Sequence, residues 1–142
     1  MLFRSELVHD PDEEPIENCK VLSLLQCVLL IDDIARSAFD GCFDPRSVEW
    51  IPSVYGGRRW WMLRSRVMLA GVSEANSDLV RAKNGRVIEI HKLVVDADIC
   101  RGHHFFRLSQ GLESWGQVVS GAVRDRWLNS GFRGLSFFPI AT

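Results

Sequence analysis

The chain has 142 residues, of which 46% are apolar and 25% charged. That is one domain's worth of sequence with enough apolar surface to build a core, and it excludes intrinsic disorder and low-complexity classes. The net charge of −1 is unevenly spread: residues 1–80 carry 8 Lys/Arg against 13 Asp/Glu, and residues 81–142 carry 9 against 5. A general nucleic-acid binder needs clustered excess base to neutralise phosphates, so this balance argues against nucleic acid as the partner.

Residues 1–20 read as a polar, acidic lead-in to a single domain over 21–142. Asp10–Glu17 holds two prolines and five acids with no base, a pattern of extended or mobile chain. Met1–Asp10 has no apolar core of the length a signal peptide needs, and the longest apolar run, Val21–Ile31, is too short to span a membrane. Cys19, Cys27, Cys42 and Cys100 show no C-x-x-C spacing. They are expected to be free thiols in a reducing cytoplasm, with no membrane partner.

Val21–Ile31 is an apolar run. Asp32 and Asp33 then supply the cap and the negative charge that a helix start favours, with Ile34, Ala38 and Phe39 as its apolar stripe. Gly41 stops this helix, Asp44-Pro45 turns the chain, and Val48–Ile51 is a short strand ending at Pro52. Gly56-Gly57 supplies the positive φ of a hairpin turn. Trp60 to Leu69 alternates with period two and reads as a half-buried strand. Gly71–Lys83 is expected to be loop, Arg86–Val95 a strand after the Asn84-Gly85 turn, Asp96–Gly102 a connector and Phe105–Leu108 a strand. Gln117–Ser120 leads into a helix over 121–130 with Val119, Val123 and Trp127 inward and Gly131 as its stop. Residues 134–140 close the chain as a strand. The pattern predicts an α+β fold, a mainly antiparallel sheet with two or more helices packed on it. Leu29–Pro52 and the last strand–helix–strand share an order of pieces that suggests an internal duplication.

In that order the segments resemble the Myxococcus-type immunity-protein family of bacterial polymorphic-toxin systems. The resemblance rests on Val118–Pro139, on Ile99–Leu108 with its Phe-Arg-Leu ending, and on Arg59-Trp-Trp-Met-Leu63, and covers roughly residues 25–140. It departs at Gly121, where the family usually has Glu, and in lacking the C-x-x-C of some related domains. The resemblance implies a non-catalytic protein that binds and neutralises a cognate toxin or effector by stoichiometric contact, with no cofactor and no metal. Candidate contact residues are the acids Asp12, Glu13, Glu14 and Glu17, which would steer a basic partner. Arg58, Arg59 and Trp60 join them, because Arg and Trp dominate protein-contact hot spots.

Particular residues also support other readings. Cys100 with His103 or His104 would supply the nucleophile and base of a small enzyme, or two ligands of a zinc site that needs two more. Arg58, Arg59 and Trp60 interleave base and aromatic as a nucleic-acid grip does. Asp96 and Asp98 flank Ala97 and offer two carboxylates to a cation, with a charged connector as the plainer account.

Overall fold

A computed structural model describes residues 2–6, 21–25, 28–39, 41–131 and 136–142, with side chains described from Leu29 onward except at 40 and 132–136. The acidic residues Asp12, Glu13, Glu14 and Glu17, together with His9, Cys19 and Cys27, lie outside the described residues or side chains.

The elements run β1 (Leu2–Glu6), β2 (Val21–Leu25), β3 (Val28–Ile31), α1 (Asp33–Ala38), β4 (Val48–Tyr55), β5 (Arg58–Ser65), β6 (Met68–Leu69), β7 (Asp78–Arg81), β8 (Val87–Lys92), α2 (Ala97–Cys100), β9 (Phe105–Leu108), β10 (Gln117–Ser120), α3 (Gly121–Asn129) and β11 (Ser136–Ile140). They form a five-stranded sheet in the order β11-β1-β10-β9-β6, a four-stranded sheet in the order β2-β3-β5-β4, and a β7-β8 hairpin. Among the described strands the β6–β9 pair is parallel and the other pairs are antiparallel, so the fold is α+β with antiparallel pairing dominant, as the sequence pattern predicts.

Each large sheet contains the same unit. β3 and β4 are both antiparallel to β5, which lies between them. β10 and β11 are both antiparallel to β1, which lies between them. In each unit a strand leads directly into a helix and returns, one strand over, in the same direction. The inserted strand follows its unit in the first case and comes from the start of the chain in the second. Leu2–Glu6, inside the stretch expected to be a lead-in, is thus a central strand.

The two helices are capped alike. Asp32 accepts from the Ala35 amide at 2.8 Å, and Ser120 accepts from the Val123 amide at 3.4 Å. Counting from the caps aligns Ile31 with Val119, Ala35 with Val123 and Phe39 with Trp127, and all six are buried in one cluster between the units. Phe39 and Trp127 stack with ring centroids 5.2 Å apart, and Phe43 continues the stack to Phe105. The Arg126 Nε donates to the Ala38 carbonyl at 2.8 Å, tying α3 to the end of α1. Ile34, expected on the apolar stripe, is 60% exposed. The cap sets the inward positions three and seven residues on, and Ile34 misses both.

A second cluster fills the other face of the five-stranded sheet, with Phe106, Leu108 and Val118 under Val87, Val95 and Leu112. Burial on both faces explains why Phe105–Leu108 and Gln117–Val119 do not alternate in polarity. The sheets are joined at a buried polar knot. The Gln117 side chain accepts from the Ser65 amide at 2.8 Å and donates to the Leu63 carbonyl at 3.2 Å. The Ser65 hydroxyl donates to the Phe105 carbonyl at 3.0 Å.

That knot corrects one expected strand. The run from Trp60 to Leu69 is two strands in two sheets, because after Ser65 the chain leaves β4 and β6 pairs with β9. Three further differences are smaller. β4 runs through Pro52 to Tyr55, tolerated because β4 is an edge strand. The expected loop at 71–83 contains β7, and the connector at 96–102 contains α2. The last strand likewise carries its proline, Pro139, on an edge.

Candidate functional site

The β4–β5 hairpin turns on Gly56 and Gly57, both at positive φ (60° and 72°), the geometry of a type I′ turn. Beyond it, alternation sends Arg58 and Trp60 to one face and Arg59 and Trp61 to the other. On the first face the Arg58 guanidinium lies 4.3 Å over the Trp60 ring and reaches the Asp32 carboxylate at 3.0 Å. Trp60 is only 2% exposed, and its indole N–H donates to the Tyr55 carbonyl at 3.1 Å. Of the three hairpin residues singled out in sequence, Arg58 and Trp60 therefore brace the hairpin against the cap of α1. Arg59 is exposed on the opposite face.

That opposite face holds Trp61, the last residue of the candidate Arg58–Trp61 turn, with Arg36 and Trp50, which the sequence did not single out. The Arg36 guanidinium, from α1, sits 4.1 Å from the Trp61 ring centroid and 4.9 Å from that of Trp50. The Trp61 indole N–H donates to the Asp33 carboxylate at 2.6 Å, which fixes the ring. Both tryptophans and Arg36 are half-buried, while Pro52 and Arg59 are exposed and Val54 is 75% exposed. The signal was present: Arg36 is one turn into a helix whose cap was legible, and Trp50 and Trp61 share the period-two face. What it lacked was the pairing of Pro52 with Trp61, which only the register supplies.

The other candidates resolve locally. Cys100 is 3% exposed, and burial, with Asp96 adding to it, pushes its thiol above the ordinary range. Its sulfur lies where a side chain on Gly71 would reach 2.9 Å. The His103 ring packs edge-on against Phe106, and His104 Nδ1 is 3.0 Å from the Ser120 hydroxyl. The His103 amide donates to the Cys100 carbonyl at 3.2 Å, but among the described residues no hydrogen bond joins the Cys100 thiol to either imidazole, so no nucleophile–base dyad is formed as placed. Asp96 caps α2 through the Asp98 and Ile99 amides, and Asp98 pairs with Arg101 at 2.5 Å, the plainer account of those two carboxylates. Among the described residues no three His, Cys, Asp or Glu side chains gather as a metal site, and no helix is long and apolar enough to cross a membrane.

A broad depression of about 660 Å³ lies between the Asn84-Gly85 and Gln110-Gly111 turns. Its central cation, Arg81, is committed to Glu74 at 2.5 Å and to the Gly85 and Gln110 carbonyls. Gly111, at φ +86°, has no room for a side chain, since a Cβ there would lie 2.3 Å from the Gly85 carbonyl oxygen. This region is a structural stitch between two turns.

The molecule is thus a paired-unit α+β protein whose described cation–aromatic contacts fall on the tryptophans of one hairpin. Residues 42–142 match the model of an immunity protein family, Imm11, and the chain belongs to that family. The match spans β4 to the end of the chain, including the hairpin, the polar knot and the whole β10–α3–β11 unit. No curated protein matches the sequence.

Proposed function

We propose that this protein is the immunity partner of a bacterial toxin or effector, which it neutralises in the cytoplasm of the producing cell by stoichiometric binding, without catalysis. The observation that carries the reading is the family match over residues 42–142. The physical requirements are a rigid frame and a contact surface. The frame is the pair of units locked through Phe39, Trp127 and Gln117, and an immobile frame lowers the ordering cost of association. Arg59 would make direct contact, with Arg58 and Trp60 holding the hairpin that presents it. The acidic residues Asp12, Glu13, Glu14 and Glu17 would act at longer range, speeding encounter with a basic region of the partner.

The test is co-expression with the toxin domain encoded by the neighbouring reading frame. Cells making both should grow, and the two proteins should co-purify in fixed ratio. Cell death in the presence of folded, abundant protein overturns the reading. Reversing the four lead-in charges should slow association several-fold and leave dissociation nearly unchanged in a surface-binding measurement at low salt.

A further inference from the structure

We infer that the face formed by Arg36, Trp50, Trp61, Pro52, Val54 and Arg59 is the docking surface for an acidic segment of the partner protein, with Arg36 as the anchor that receives a carboxylate. The inference rests on the toxin-binding reading and specifies its surface.

The argument begins with the state of Arg36. Its guanidinium lies against two indole rings, at 4.1 and 4.9 Å from their centroids. Among the described residues it makes no hydrogen bond or ion pair, and its helical neighbour Asp33 instead accepts the Trp61 indole N–H. Stacking immobilises the planar group while leaving its edge donors available. An arginine prepared in this way matches a carboxylate in bidentate fashion and loses little conformational freedom on binding. Flanking indoles also exclude water from the pair, which strengthens it.

Charge sets the chemistry of the occupant. Arg59 lies on the same face of β5 as Trp61, is exposed, and makes no ion pair among the described residues. Among the described residues, two cations set against the carboxylate of Asp33 leave the patch positive. Around them Pro52, Val54 and the indole edges supply apolar contact. The fitting segment therefore carries an acidic side chain beside apolar ones. Docking through side chains is favoured over strand addition, because Pro52 interrupts the donor row of this edge strand.

The experiment has two arms. In the first, the neighbouring-frame toxin domain is titrated with the wild-type protein, Arg36→Ala, Arg36→Lys, Arg59→Ala and, as a control on the other face of the same strand, Arg64→Ala. Arg36→Ala should weaken binding about 30-fold or more and Arg36→Lys nearly as much, because the planar fork is lost in both. Arg64→Ala should change little. Should Arg36→Ala fold poorly, Arg59→Ala, at an exposed position, carries the test with a loss of several-fold. Wild-type binding that Arg36→Ala and Arg59→Ala leave untouched overturns this surface while the functional reading stands. If the toxin domain does not bind at all, the functional reading fails and the second arm decides the surface. There the probe is a blocked peptide of alternating Glu and Leu, and the readout is the indole N–H resonance of Trp61. A shift that Arg36→Ala abolishes supports an acidic-segment site. No shift overturns it, and so does an Arg36-dependent shift given by single-stranded DNA and not by the peptide, which would mark a phosphate site.

Discussion

The two strand–helix–strand units share a topology and a core and differ at their surfaces. At the positions one before, three after and seven after the cap, Ile31, Ala35 and Phe39 answer Val119, Val123 and Trp127, all buried. Four residues after the cap the units diverge. Arg36 lies on two indoles in the first, whereas Arg124 in the second pairs with its neighbour Asp125 at 2.8 Å. The helices differ in length too, six residues against nine. Burial holds the inward positions alike because the helices meet each other there. The outward position is under no such constraint, and there one unit carries an arginine–aspartate pair while the other carries an aromatic–cationic face.

The largest expected effect comes from breaking the shared interface. Trp127 is fully buried, and Trp127→Ala should cost about 3–5 kcal/mol in urea unfolding. Phe39→Ala should cost a similar amount. The double variant should fall short of the sum by about 1 kcal/mol, because each ring is half of one stacked pair. Additive losses would mean that the units fold against their own sheets and not against each other.

How much of this was legible follows from range. Caps, turns and the inward spacing of α3 are local, and Asp32, Gly56-Gly57 and Trp127 announced them, although the cap at Ser120 was not read. The pairing of the units was visible only as a similar order of pieces, and Ile34, expected on the apolar stripe, is one residue before Ala35, which the cap turns inward. Leu2–Glu6 as a central strand, and the break at Ser65, depend on partners more than a hundred and about fifty residues away respectively. No periodicity encodes such distances. The contact face was half legible for the same reason. Arg59 was found at a turn, but Trp60 and Trp61 look alike in sequence, and only burial separates the fully buried brace from the half-buried ring.

Next in size is the knot that couples the two sheets. Gln117→Ala leaves the Ser65 amide and the Leu63 carbonyl without these partners in a buried setting, a cost of about 1–3 kcal/mol. Amide exchange should then accelerate in β10 and at the end of β5 together. Acceleration in one sheet alone would show that the knot stabilises its own strand without joining the units.

The smallest effect sharpens the comparison between the two caps. Ser120→Ala removes a single, long hydrogen bond and should cost about 0.5–1 kcal/mol. Asp32→Ala should cost more, about 1–2 kcal/mol, because the same carboxylate holds both the Ala35 amide and the Arg58 guanidinium that lies on Trp60. Asp32→Asn separates these contributions, since asparagine caps a helix nearly as well as aspartate but offers Arg58 no charge. If the ion pair with Arg58 distinguishes the first unit, the asparagine variant should sit between wild type and Asp32→Ala, and its deficit should shrink as salt screens the wild-type pair. An asparagine variant as stable as wild type at low salt would reduce the two caps to the same hydrogen bond. The difference between the units would then lie wholly in the outward face around Arg36.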